Sequence, residues 1–147
     1  MRKLIELWEE GGKPLLTARW DNLGHCWEIG LGHTSAAGLP RVRQGMTITA
    51  QEADDILASD LSAVEADVNQ HVTVELNQNQ FDSLGSFDFN TGGLDRSSLL
   101  RAVNSKASPD QITADFLMWD HAGGVFVEGL YLRRQREASI FNTPVVA

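Results

Sequence analysis

The chain has 147 residues, 42% of them apolar, and carries 12 Lys and Arg against 20 Asp and Glu for a net charge of −8. That length supports a buried core without covalent staples, and the ordinary composition excludes a disordered or fibrous chain. The acidic balance argues against nucleic acid as a partner, and the single cysteine, Cys26, forms no internal disulfide, so the fold is independent of an oxidising compartment.

In the opening MRKLIELWEEGG, Leu4, Ile5, Leu7 and Trp8 recur at helical spacing. Glu6, Glu9 and Glu10 interrupt the run too early for a signal segment or a membrane span. Gly11 and Gly12 are expected to stop the helix. A carboxylate at a helix C-terminus faces the negative end of the macrodipole, a mismatch of roughly 0.3–1 kcal/mol. That environment raises a carboxyl pKa and suits Glu10 to proton donation; a solvated last-turn residue is the ordinary alternative.

Residues 15–20 read as a strand, Asp21-Asn22-Leu23-Gly24 as a type I turn, and residues 25–29 as the returning strand. Alternation sets Trp27 and Ile29 on one face and Cys26 and Glu28 on the other. Asp21 fits a turn that caps itself through its side chain as well as it fits chemistry. His33, bracketed by Gly32 and Thr34, fits a general base or a structural hydrogen-bonder. The histidines and Cys26 lack metal-ligand spacing, so neither metal nor cofactor is expected.

Thr49-Ala50-Gln51-Glu52 matches a capping box opening a long helix to Gln70, and Asn77 to Gln80 caps a helix carrying Phe81, Leu84 and Phe87. Shorter helices follow from Ser97 to Asn104 and from Pro109, and after Gly123 and Gly124 a last helix runs from Glu128 to Phe141 around Leu130, Leu132 and Ile140. Arg41 and Arg43, like Arg133, Arg134 and Arg136, read as solvated faces or local salt bridges. The outline is α+β: a single domain with an N-terminal helix and β-hairpin region over about 1–48 and a helical lobe over about 49–147. A cleft between them is the expected active site.

These residues carry a resemblance over essentially the whole length. Glu10-Gly11, the run Trp27-Glu28-Ile29-Gly30-Leu31-Gly32-His33-Thr34, and Gly45-Met46-Thr47-Ile48-Thr49 stand in the order found in phage-type lysozymes, the endolysins of glycoside hydrolase family 24. Asn79-Gln80-Phe81-Asp82-Ser83-Leu84, Phe87-Asp88-Phe89-Asn90-Thr91-Gly92, Ser97-Ser98-Leu99-Leu100-Arg101 and Gly129-Leu130-Tyr131-Leu132-Arg133-Arg134 keep that order. The resemblance implies a lysozyme-like fold and a muramidase that cuts the β-1,4 bond between N-acetylmuramic acid and N-acetylglucosamine in peptidoglycan. It also implies catalytic roles for Glu10 as general acid and Asp21 at the hairpin turn; Glu28 is taken as a third catalytic residue on its own chemistry, and His33 and Asn90 are expected as substrate contacts.

Glu28 departs from the family pattern, which has threonine there, and the spacings from Glu10 to Asp21 and from Asp21 to Glu28 exceed the family's by about two residues and one residue, predicting a slightly enlarged hairpin. Glu28 is then a general base on water, a nucleophile or a bystander, with the general base favoured and Glu9 the fallback acid. Two rivals are a catalytically altered, glycan-binding lysozyme fold and a glycosidase of chitin-like polymers. As an endolysin the chain is expected to be a monomer without stable membrane association, held in the host cytoplasm and released to the wall through a membrane lesion.

Overall fold

A computed structural model describes residues 1–146, which form two compact units: residues 2–63, and residues 64 onward together with Met1. The division falls inside the longest helix, whose first half therefore belongs with the strands.

In the first unit, α1 (Arg2–Trp8) is braced by Arg2, which donates from Nε to Glu6 at 2.8 Å, and it buries Ile5 completely. Strands β1 (Leu15–Asp21), β2 (Cys26–Gly30) and β3 (His33–Thr34) form one antiparallel sheet in that order. The register pairs Leu15 with Gly30 but Arg19 with Glu28, so β1 takes four steps while β2 takes two. Those two extra residues make a bulge. Its backbone is pinned from outside the hairpin, by Ala18 N–H on the Met46 carbonyl at 2.8 Å and Ile48 N–H on the Leu16 carbonyl at 2.9 Å. Beneath the sheet, Ile29, Leu31 and Val42 are buried, as are Ala53, Leu57 and Leu61 on the first half of α2 (Ala50–His71).

Helix α2 starts at the expected box: Glu52 N–H donates to Thr49 Oγ1 at 3.1 Å and Thr49 N–H to Glu52 Oε2 at 2.7 Å. The same device, Asn77 with Gln80, opens α3 (Gln78–Thr91). In the second unit α3 packs on α6 (Glu128–Phe141), while α4 (Ser98–Asn104) and α5 (Pro109–Leu117) close the bundle. Ser97 and Ser108 cap the last two through their hydroxyls. Phe87 lies at the centre, edge-on to Phe116 at 5.7 Å and to Trp119 at 5.3 Å. Between α5 and α6 the sequence reading missed a small hairpin, β4 (His121–Ala122) and β5 (Val125–Phe126), whose two-residue turn puts Gly123 and Gly124 both at positive φ.

Helix α6 corrects a reading of its arginines. Arg133 and Arg134, expected on a solvated face, are 5% and 0% exposed, whereas Leu132 is 49% exposed. The cause is Glu137, fully buried one turn later. It pairs with Arg134 Nε at 2.7 Å and Arg133 Nε at 3.3 Å and accepts the Ser86 hydroxyl at 2.6 Å. The Arg134 guanidinium also lies 5.2 Å from the Phe87 ring centre.

Candidate active site

Helix α1 ends at Trp8, earlier than expected, with Glu9 N–H still bonded to the Ile5 carbonyl at 3.0 Å. Glu10 opens a 3-10 turn, Glu10–Gly12, with φ at +50°. For a residue with a Cβ this left-handed backbone costs on the order of 1 kcal/mol, strain of a kind that gathers at functional sites. The helix-end argument for a proton donor therefore needs correction, because Glu10 lies two residues past the helix. Leu7, three residues before it, is 62% exposed and gives it no apolar wall.

What stands beside Glu10 is Arg19. Its Nη2 donates to Glu10 Oε1 at 2.5 Å and to Glu28 Oε1 at 2.6 Å, and its Nε donates to the same Glu28 oxygen at 3.0 Å. Two contacts from one nitrogen limit the two carboxylate oxygens to a separation no longer than those bonds laid end to end, about 5 Å. Arg19 and Glu28 are direct cross-strand partners, which puts both on one sheet face. These hydrogen bonds, from Glu10 first and then Glu28, push the Arg19 guanidinium above its ordinary pKa. Across the sheet, Trp20 and Trp27 pair edge to face at 5.6 Å.

Asp21 lies two residues beyond Arg19 on the same face, but its carboxylate is committed to the turn. Oδ1 accepts Leu23 N–H at 2.9 Å and Oδ2 accepts Gly24 N–H at 2.8 Å. Opposite it, burial raises the pKa of the Cys26 thiol, and the charges of Asp21 and Glu28 raise it further, so the thiol keeps its proton. Glu9 points elsewhere: a Cβ on Gly32 would come within 2.8 Å of Glu9 Oε2, so the absent side chain at Gly32 is what admits that carboxylate.

Of the remaining expected residues, His33 does not join this group. His33 is 1% exposed, with Nδ1 2.7 Å from Asp60 Oδ2 and Nε2 2.9 Å from the Pro40 carbonyl, which commits both ring nitrogens to the fold. Its geometry is that of the structural hydrogen-bonder rather than of a substrate contact. Asn90 is exposed near the end of α3, in the other unit. Among the described residues no cluster of three or more His, Cys, Asp or Glu is placed to hold a metal, and no helix is long and apolar enough to cross a membrane.

The residue that the sequence reading passed over is Arg19. Its signal was in the hairpin arithmetic: with Asp21 opposite Cys26, counting back from the turn sets Arg19 opposite Glu28, a cation facing the one unexpected carboxylate.

Comparison with known proteins decides the family. Residues 10–137 match the family described as Phage lysozyme. The chain belongs to the phage lysozyme family. With that membership it falls in the lysozyme class of glycoside hydrolases. The endolysin of Salmonella phage P22 is 42% identical over 116 residues, covering 77% of each chain. The endolysin of Bacillus phage PZA is 37% identical over 118 residues, 80% of this chain, yet this phage lysozyme spans only 44% of that longer protein. Among solved structures, the muramidase domain of SpmX from Asticaccaulis excentricus is similar with a TM-score of 0.77 and 32% identity, covering 97% of this chain and 94% of that one. The α+β, lysozyme-like reading of the fold thus holds for this phage lysozyme.

Proposed function

We propose that the chain hydrolyses the β-1,4 bond between N-acetylmuramic acid and N-acetylglucosamine in peptidoglycan, with Glu10 as general acid and Glu28 as the carboxylate on the opposite face of the sugar. The observation that carries the reading is the convergence of Glu10 Oε1 and Glu28 Oε1 on one Arg19 nitrogen, at 2.5 and 2.6 Å. Glycosidases that retain configuration hold their two carboxyl groups about 5–5.5 Å apart, and inverting ones about 6.5–9.5 Å, to leave room for a water. The close approach supports a nucleophile at Glu28 rather than the general base favoured from sequence.

In the first step Glu10 gives its proton to the glycosidic oxygen as the bond to the muramic acid C1 breaks. A Glu28 oxygen then bonds C1 to form a glycosyl ester. In the second step Glu10, now ionised, takes a proton from water as the water oxygen replaces Glu28 on C1. Asp21, fixed by its turn amides, contributes negative charge for the oxocarbenium-like transition state. Lysis then follows from reaching the wall, for which the cytoplasmic pool needs a membrane lesion made by another protein.

The test is release of new reducing ends from purified peptidoglycan by the wild type and by Glu10→Gln, which keeps the shape and removes the acid. Cutting by the wild type, with a fall of about 10²–10⁴-fold in the variant, supports the assignment. Equal cutting by both sinks it. One observation favours a second reading, a glycan-gripping lysozyme fold: the Arg19 guanidinium occupies the space between the two carboxylates. Pull-down by peptidoglycan without any reducing ends would establish that reading instead.

A further inference from the structure

The scissile bond must lie between the acid and the nucleophile, which is where the Arg19 guanidinium sits. Its hold on the two sides is unequal. Toward Glu28 it donates twice, from Nε and Nη2, across a strand pair and onto a side chain only 17% exposed. Toward Glu10 it donates once, onto a side chain 39% exposed in a strained turn outside the sheet. A sugar entering between the carboxylates therefore detaches the guanidinium from Glu10 and leaves it on Glu28.

We infer that Arg19 is a positioning residue that allots the two catalytic roles: it rides on Glu28, holding that carboxylate in place for attack, and on leaving Glu10 it frees that side chain to meet the leaving oxygen. The inference rests on the Glu10 and Glu28 assignment above. Without a cation, two carboxylates whose nearest oxygens lie within about 5 Å repel each other, and nothing holds Glu28 where attack needs it. The groups facing the guanidinium are Glu10 from the 3-10 turn and Glu28 from β2. Asp21 is next but one on its own strand, with Cys26 opposite that residue. Asp21 is tied to the turn amides and the Cys26 thiol keeps its proton, so Glu10 and Glu28 are the groups that respond to the loss of Arg19.

The turn gives this placement a cause. With Asp21 opposite Cys26, counting back sets Arg19 opposite Glu28, and the bulge begins only beyond it, between Leu15 and Arg19. A positioning residue of this kind is invisible to a search for acids alone.

The experiment compares Arg19→Gln and Arg19→Lys with the wild type. The Arg19 side chain is 51% exposed, and a ¹H–¹⁵N spectrum of each variant checks that the fold is kept. In kcat/KM against pH, Arg19→Gln is expected to lose about tenfold or more at the optimum and to move the acid-side limb up by about one pH unit. Arg19→Lys, which keeps the charge, should hold the limb near the wild-type position. An unmoved limb in Arg19→Gln, or equal shifts in both variants, overturns the inference. A ¹³C spectrum of the glutamate carboxyls at fixed pH reads the contact without turnover. The Glu28 signal should move in Arg19→Gln and stay near its wild-type position in Arg19→Lys, and an unmoved signal overturns the role of Arg19. Should the wild type cut nothing while that signal still moves, the enzymatic reading fails and the hold of Arg19 on Glu28 stands.

Discussion

His33 and Asp60, 27 residues apart in sequence, meet at 2.7 Å with 1% and 6% of their side chains exposed, so β3 is tied to α2 by a buried imidazole–carboxylate contact. Burial alone lowers a histidine pKa, but here Asp60 and the Pro40 carbonyl outweigh it and the net shift of His33 is upward. The folded imidazole thus keeps its proton to higher pH than the unfolded one. The stabilisation is full below the unfolded value of about 6.5 and is lost as pH rises through the folded value. Asp60→Asn is expected to cost about 3–5 kcal/mol at pH 5.5, the usual penalty for breaking a buried pair. Urea denaturation at pH 5.5 and 8.5 checks this, and a cost that grows at the higher pH would refute the assignment.

Asp88 supplies a second lever of the same sign at lower pH. It is 8% exposed on α3, and its pKa is pushed up to about 6. Burial is the main cause; the Leu94 N–H at 3.1 Å works against it, and the charge and hydrogen bonding of Asp67 add to the rise. The unfolded chain releases this proton near pH 4 and the folded chain near pH 6, so stability falls across that interval, by roughly 3 kcal/mol at one pKa unit per 1.4 kcal/mol. Asp88→Asn, neutral at every pH, is expected to be more stable than wild type at pH 8 and about equal at pH 4. A variant that is less stable at pH 8 would show that the carboxylate itself is needed.

Local chemistry made much of this fold legible. Capping boxes at Thr49 and Asn77, a serine cap at Ser97 and Pro109 at a helix start act within four residues, and each helix starts where its cap predicts. The Asp21 turn likewise fixes which residues of β1 and β2 face each other. Long-range compensation is what the pattern hides. Arg133 and Arg134 read as surface because a charged residue is buried only with a partner, and the Ser86 that completes the Glu137 set is 51 residues away from it. Glu10 was misplaced for a related reason: glycines predict where a helix stops but not that the residue before them turns left-handed.

That buried set gives a prediction of its own. Glu137→Gln takes the paired carboxylate from the Arg134 guanidinium, which is 0% exposed, and is expected to cost about 3–5 kcal/mol. Ser86→Ala removes one hydrogen bond to the charge and should cost only about 1.5–3 kcal/mol. Thermal unfolding of both variants tests the ordering, and a Ser86 variant as damaged as the Glu137 one would mean that the hydroxyl, not the ion pairs, organises α6 against α3.

The spacing of Glu10 and Glu28 makes the stereochemistry of cleavage a sharp test. Their nearest oxygens share the Arg19 Nη2 at 2.5 and 2.6 Å and so lie within about 5 Å of each other, nearer the spacing of a retaining pair than of an inverting one. The first product formed should therefore carry the β configuration at the new reducing end, visible by ¹H NMR before mutarotation scrambles it. Glu28→Gln should bind glycan normally while losing about 10²-fold or more in kcat, because an amide is a poor nucleophile and its loss is felt only in the transition state. An α-anomer appearing first would assign the attack to water and return Glu28 to the general-base role. Full activity in the Glu28 variant would leave the second carboxylate to Asp21, which would then have to act while its oxygens stay bound to the Leu23 and Gly24 amides.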